Sequence, residues 1–346
     1  MADDGSGDEP CCNLRQCAVS LSHPRTESHP PLCVAGDADS KGHESGGGES
    51  DLSADAGGPE ITKTTPALSF TPMRPYLTQP REVALETLAL CNARCTFCPY
   101  PTLERQGTEM PMALIERLIG EMSEFPAPFY FSPFKVNEPF LDRRVIGICQ
   151  HVNTQCPLAR LRLFTNGQPL TSRLISQIAE LQNVEHLWIS LNSHDPEKYR
   201  ELMGLDFAIT QKRLDQLHAS LNWFPHPVVV SKVADTDAWH NVQFMQFVHS
   251  RWPRFQPFLI KRDGWLGYVA PSDPRIPNRH CDRWFEMSIC ADGKASLCCM
   301  DGTGEYSVGD VRTQSLLEIY NQPILFDRRA NMTKRQEVHP CRTCTY

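Results

Sequence analysis

The chain has 346 residues, enough for one large domain or two smaller ones, with ordinary apolar and charged fractions of 40% and 22%. Its formal charge of −7 is uneven: residues 1–60 hold twelve acidic and three basic side chains, a balance of −9, which leaves about +2 on residues 61–346. A nearly neutral body without a basic stripe argues against nucleic-acid binding, and no run of about 18 apolar residues is present to cross a membrane.

The opening MADDGSGDEP has neither the positive start nor the apolar core of an export signal, so a cytoplasmic location is expected. Residues 1–78 are rich in Gly, Ser, Asp, Pro and His and read as a disordered acidic tail, since so few apolar groups cannot offset the entropy of ordering. Cys11, Cys12, Cys17 and Cys33 in this tail read as free thiols, with a small metal-binding knuckle as the alternative.

From Arg81 short apolar runs alternate with helical periods. Val83–Leu88 reads as a strand, and 112–122 as an amphipathic helix with Leu114, Ile115, Leu118, Ile119 and Met122 on one face. Strands follow at Phe129–Phe131, Leu161–Thr165, His186–Leu191, Val228–Val233 and Phe258–Ile260, with helical segments between them. Thr171 or Ser172 is placed to cap the helix after the third strand. Such alternation implies parallel strands with right-handed crossovers, either as a whole or partial barrel or as an open doubly wound sheet. No GxGxxG follows the first strand, which weakens the dinucleotide-binding version. From about 271 the chain turns loop-rich and holds six of the fifteen cysteines, with Asp292–Gly293 as a hairpin turn. It reads as a small metal-stapled domain over 271–346, after a core over 79–270.

Directly after the first strand comes CNARCTFC, in which Cys91, Cys95 and Cys98 have the spacing C-x3-C-x2-C. Three thiolates on one short loop suit three irons of a cubane and leave the fourth iron open. Zinc with a remote fourth ligand also fits the spacing. In barrel-like α/β folds active sites form at the carboxyl ends of the strands. Those ends carry Asn137 and Glu138, then Thr165–Asn166–Gly167, then Ser190 and Asn192, a polar rim beside the cysteine loop. Each has a bland alternative: a helix N-terminal carboxylate for Glu138, and turn residues for the others. Lys232, Lys261 and Arg262, which end the last two strands, read as surface charges.

The C-x3-C-x2-C spacing, with Phe97 before the last cysteine, resembles the signature of the radical S-adenosylmethionine superfamily. The resemblance covers roughly 81–346 and implies a partial (β/α)6 TIM-like barrel. It also implies a 4Fe–4S cluster on Cys91, Cys95 and Cys98 whose open iron chelates S-adenosylmethionine, with reduction yielding a 5′-deoxyadenosyl radical that abstracts hydrogen. KVNEPFLD resembles the family's Gly-Gly-Glu-Pro segment, with Val136 and Asn137 in place of the glycines. By that resemblance Asn137 and Glu138 hold the cofactor's amino group and Ser190 and Asn192 its ribose or carboxylate. Phe97 meets its adenine, and Asn166 is a further contact.

Cys281, Cys298, Cys341 and Cys344 resemble the ligands of the family's C-terminal SPASM or shorter twitch-type extension. The chain as given runs two residues past Cys344, so one auxiliary 4Fe–4S cluster on these four is expected, with Cys299 as a substitute for Cys298 and zinc as the competing metal. Cys290 reads as a core residue. The spacing is close to that of radical aminocyclitol dehydrogenases. This implies oxidation of a carbohydrate-like metabolite, with the auxiliary cluster as electron acceptor and a flavodoxin or ferredoxin as donor. The alternatives are a maturase acting on a ribosomally made peptide and a non-catalytic metal-binding scaffold.

Overall fold

The structure is a computed structural model and describes residues 74–346; the acidic segment and the four tail cysteines lie outside the described residues. Six strands carry the barrel: β1 (Glu82–Leu85), β2 (Phe129–Ser132), β3 (Ala159–Thr165), β4 (Val184–Ser190), β5 (Val228–Val233) and β6 (Gln256–Ile260). Between them run α1 (Met112–Ser123), α2 (Val145–Gln155), α3 (Ser172–Ala179), α4 (Pro196–Met203) with α5 (Phe207–Ala219), and α6 (Ala238–Arg251). Neighbouring strands pair in parallel in the order β6-β5-β4-β3-β2-β1. Each crossover therefore advances one strand in the same direction. A doubly wound sheet would reverse its order, so the fold is the partial TIM-type barrel.

Strand alternation sorts the side chains onto two faces. Val83, Phe131, Leu161, Leu163, Leu187 and Ile189 are all at most 1% exposed and share one core with Ile115 and Leu118 of α1 and Ile178 of α3. The intervening positions, Tyr130, Arg162, Phe164, His186, Trp188 and Ser190, are half-buried and face the barrel interior. Thr171 caps α3 by accepting from the Leu174 amide at 3.2 Å, as its hydroxyl and position favour.

The C-terminal region differs from the separate appendage that its composition implies. Strand β7 (Glu286–Ile289) pairs in parallel with β1, then β8 (Lys294–Ser296) and β9 (Ser307–Asp310) follow antiparallel, so one nine-stranded sheet runs across the expected boundary at 270. Gly293 turns the β7–β8 hairpin at φ 91°, where a Cβ would meet Arg312 at 2.8 Å. The last helices, α7 (Leu316–Tyr320) and α8 (Pro323–Ala330), pack behind it. The expected tail boundary at 78 also moves. Arg74–Leu77 forms a 3-10 turn whose Tyr76 and Leu77 carbonyls accept from Tyr320 Oη at 2.7 Å and Arg329 Nη2 at 3.0 Å. Those partners lie more than 240 positions away, which composition does not reveal.

Candidate active site

The first strand ends at Leu85, sooner than expected, and the next two residues, Glu86 and Thr87, are buried polar residues. Glu86 pairs with Arg105 at 2.6 Å, and Arg105 also donates to the Gly302 and Thr303 carbonyls at 2.8 Å. Neither side chain stood out in the sequence, yet together they tie the cysteine loop to the C-terminal region. The segment 87–90 runs beside 107–110 through Ala89 N to Thr108 O and Met110 N to Thr87 O, both at 2.9 Å. The cysteine loop then leaves the strand. It is pinned to the end of α4 by Arg94 N to Met203 O and Thr96 N to Leu202 O, each 2.9 Å.

Most of the rim residues read from the sequence meet at this loop. Glu138 is 2% exposed, and its backbone amide donates to Leu90 O at 2.8 Å, beside Cys91. Its carboxylate accepts from Thr165 Oγ1 at 2.9 Å and the Asn166 amide at 2.7 Å. Asn166 reaches Asn92, inside the cysteine loop, at 2.7 Å. Asn192, held at a left-handed φ of 63°, donates to Met203 Sδ at 3.1 Å, and Cys95 Sγ touches the same sulfur at 3.3 Å. Asn137 accepts from the Lys135 amide at 2.9 Å, while its buried Nδ2 has no protein partner among the described residues. Ser190 closes β4 on the interior face, and Phe97 packs against the main core.

Lys232 corrects the expectation of a surface charge. It is 1% exposed and donates to the Asn192 carbonyl at 3.1 Å, which supports the strained residue at the rim. Burial pushes its ammonium down. Lys261 is likewise engaged, with Thr345 O at 2.8 Å.

The electrostatics suit a cationic guest. Burial, with smaller contributions from the neighbouring thiols and Glu138, pushes Cys91 up to about 12 and Cys95 well above its ordinary value; Cys98 is raised to about 11, again by burial. Burial also raises the Glu138 carboxyl to about 7, against the hydrogen bonds that favour its ionised form. Alone, the thiols hold their protons at pH 7, while Glu138 is about half-ionised there. A metal charge inverts that balance and makes the thiols thiolates. Among the described residues no three Cys, His, Asp or Glu side chains converge as the ligands of a single ion do. A cubane does not ask for that, since each cysteine binds its own iron. The donor set of three thiols on one loop therefore fits an iron–sulfur cluster, and the unpartnered Asn137 Nδ2 and the buried Glu138 fit a polar, cationic cofactor beside it.

A second thiol group lies in the C-terminal region. Cys281, Cys298, Cys341 and Cys344 are 5–8% exposed. Cys281 and Cys341 share a small core with Trp284, Leu297 and Val338. Burial raises all four thiols; Cys281 is raised further by Cys344 and Cys341, and Cys298 by Cys299, Cys281 and Cys341. Cys299 has different surroundings: Arg283, Glu286, Lys135 and Glu82 act on it. Cys290 is 1% exposed.

The sequence reading passed over the interior face below the rim. Arg162 and His186 are register partners on β3 and β4. Arg162 bonds Glu82 at 2.8 Å and lies over the Tyr130 ring at 3.4 Å, yet its Nε is buried without a partner among the described residues, as is His186 Nε2. Burial, with the Arg162 charge, holds the His186 imidazole down at about 4, so it is neutral at pH 7. Trp188 and Phe164 flank it with ring centroids at 5.5 and 5.9 Å. Period-two alternation with Leu161, Leu163 and Leu187 was the signal that could have marked these positions.

Comparison with known proteins agrees with this site. Residues 85–223 match the Radical SAM superfamily, and residues 281–345 match SPASM, an iron–sulfur cluster-binding domain. The chain belongs to the radical S-adenosylmethionine superfamily and carries a SPASM domain. With that membership come a 4Fe–4S cluster, S-adenosylmethionine and auxiliary iron–sulfur ligation. A comparison with curated protein sequences gives no match. Among solved structures, the fold is similar to BtrN in complex with AdoMet and 2-DOIA, at 17% identity and TM-score 0.54, covering 77% of this chain and 93% of that one. It is also similar to Streptococcus suis SuiB bound to precursor peptide SuiA, at 12% identity and TM-score 0.58, covering 79% and 71%. A third is native anSMEcpe with bound AdoMet, at 12% identity and TM-score 0.55, covering 76% and 88%.

Proposed function

We propose that this radical S-adenosylmethionine enzyme oxidises a carbinol carbon of a carbohydrate-like molecule, an aminocyclitol or sugar, held on the barrel's interior face. The observation that carries it is the pair of unpartnered buried atoms on adjacent strands, Arg162 Nε and His186 Nε2, beside the aromatic faces of Trp188 and Phe164. A hydroxyl matches both atoms: it accepts from the guanidinium and donates to the neutral imidazole. Aromatic faces beside polar groups suit the C–H faces of a ring with hydroxyls at its edge.

When bound, the 4Fe–4S cluster on Cys91, Cys95 and Cys98 supplies the electron that cleaves S-adenosylmethionine, a flavodoxin or ferredoxin having delivered it. Glu138 holds the cofactor's ammonium, with Asn137 beside it. Ser190, Asn192 and Asn166 take its polar edge, and Phe97 meets its adenine. The substrate then loses a hydrogen atom from carbon to the 5′-deoxyadenosyl group, a proton from its hydroxyl to a base, and one electron. The C–H and O–H bonds break and a C=O bond forms. Cys281, Cys298, Cys341 and Cys344 would hold an auxiliary cluster, which would serve as the acceptor for that electron.

The similarity to BtrN, solved with 2-DOIA, supports a small polar substrate, while SuiB, solved with a precursor peptide, keeps peptide modification as the second reading. The test is anaerobic turnover of reconstituted protein with S-adenosylmethionine and a panel of aminocyclitols and sugars deuterated at the carbinol carbon. Deuterium in 5′-deoxyadenosine is the expected result. Stimulation by peptides alone would overturn the substrate class, and no cleavage above a Cys95→Ala control would leave only a metal-binding scaffold.

A further inference from the structure

Lys135 is 2% exposed, and its side chain crosses from the loop after β2 into the β7–β8 hairpin. Its Nζ donates to Ser296 Oγ at 2.8 Å, Ser288 Oγ at 3.1 Å and the Asp301 carbonyl at 2.8 Å. All three partners are uncharged. The bonding pattern itself calls for an ammonium. The Asp301 carbonyl only accepts, and the Ser296 hydroxyl proton is turned to the Ser288 and Cys298 carbonyls at 3.1 Å, so that oxygen too is an acceptor toward Lys135. Burying a cation costs free energy unless something nearby is negative, and three neutral dipoles offset only part of that cost.

Glu82 and Glu286 act together with the Lys135 ammonium on Cys299, and its hydrogen bonds set it beside the backbone of the C-terminal thiols. Ser296 Oγ and the Asp301 amide both bond the Cys298 carbonyl, at 3.1 and 3.2 Å. The ammonium is therefore one hydrogen-bond step from the backbone of an expected cluster ligand. On its other side, Lys135 begins the segment that carries Asn137 and Glu138. Burial raises the Cys290 and Cys299 thiols on either side of that hairpin end, and the Lys135 charge acts against that rise at both. A cluster with four thiolates carries net negative charge, and one electron more when reduced. A fixed positive charge beside it favours the reduced form.

We propose that Lys135 is a redox-positioning residue: its buried ammonium raises the reduction potential of the auxiliary cluster and so equips it to take the substrate's electron. The inference rests on the reading that Cys281, Cys298, Cys341 and Cys344 hold that cluster. Lys135 touches neither substrate nor cofactor in this role. A unit charge at this range acting through protein shifts a one-electron equilibrium by about tenfold, which is about 59 mV.

The experiment is a reductive titration followed by electron paramagnetic resonance, in a Cys95→Ala background so that only the auxiliary cluster reports. Lys135→Met is expected to lower the midpoint by about 59 mV, the tenfold above, and Lys135→Arg to keep it near the parent value. Ser288→Asp, which keeps the lysine and sets a carboxylate against it, is expected to lower it similarly. Ser288→Ala, which removes an acceptor and no charge, is expected to leave it in place. Midpoints of Lys135→Met and Ser288→Asp equal to the parent would overturn the inference. So would loss of the cluster from both with its retention in Lys135→Arg, since Lys135 would then be a mechanical clamp. A parent protein with no second signal would instead sink the cluster assignment, and the inference with it.

Discussion

The two cysteine groups of this chain are built on opposite plans. Cys91, Cys95 and Cys98 sit half-buried on a loop at the strand ends, facing Glu138, Asn166 and Asn192. Cys281, Cys298, Cys341 and Cys344 are sunk to 5–8% exposure beside Trp284, Leu297 and Val338. The first group has three thiols with polar side chains beside them. The second has four thiols with an apolar wall. An open metal position needs room and polar company for an incoming ligand, whereas a fully ligated cluster needs neither. The contrast teaches that burial and neighbours, more than cysteine count, separate a site for chemistry from a site for electrons.

The largest effect that tests this contrast is loss of one cluster at a time. Reconstituted protein is expected to hold about eight irons per chain, four for each cubane. Cys95→Ala is expected to drop this to about four and to abolish 5′-deoxyadenosine formation. Cys341→Ala is expected to drop iron equally while cleavage of S-adenosylmethionine persists. If both variants lose cleavage alike, the two sites are not separable in the way the burial pattern says.

Next in size is the buried link between them. Arg105 and Glu86 have 8% and 0% side-chain exposure, and the pair joins the loop after β1 to residues 302 and 303. Removing one partner leaves a charge buried without compensation, which costs about 3–5 kcal/mol. Arg105→Ala is expected to lose that much in urea denaturation, and a change below about 1 kcal/mol would show that the link is not what holds the two regions in register.

The open site has a titrating carboxylate inside it. Burial lifts the Glu138 carboxyl from its ordinary 4.5 to about 7, so the folded, cluster-free chain binds that proton more tightly than the unfolded chain does. The sign follows directly. Stability from this group is present below about pH 4.5 and is lost as pH rises to about 7, by up to about 3 kcal/mol. Glu138→Gln is expected to flatten the stability of the cluster-free protein between about pH 5 and pH 8. Identical pH slopes in the two proteins would place the proton elsewhere.

The sequence made some of this contrast legible and hid the rest. The strand positions were readable as short apolar runs between helical segments, and the cysteine loop was readable because its spacing is local. The sequential strand order, which decides for a barrel over a doubly wound sheet, rests on pairings that no local pattern encodes. The same holds for β7 joining β1, with Val83 opposite Met287 although the two lie far apart along the chain. Lys232 looked like a surface charge because its chemistry is that of one; the Asn192 carbonyl at 3.1 Å and the Asp235 carboxylate at 3.9 Å make its burial tolerable. Lys135 and Arg105 escaped notice for the same reason, since their partners lie far along the chain.

The smallest expected effect bears most finely on the closed site. Cys298 and Cys299 are adjacent, and spacing alone leaves either as a ligand. Their surroundings part them. Cys298 is raised by burial and then by Cys299, Cys281 and Cys341, two of which are the other expected ligands. Cys299 is half-buried and lies among Arg283, Glu286, Lys135 and Glu82, where a positive and a negative pair surround it. Cys299→Ala is therefore expected to keep about eight irons and an unchanged auxiliary signal, whereas Cys298→Ala drops iron to about four. A Cys299→Ala protein that loses the second cluster, with Cys298→Ala retaining it, reverses the assignment and turns Cys298 into the core residue.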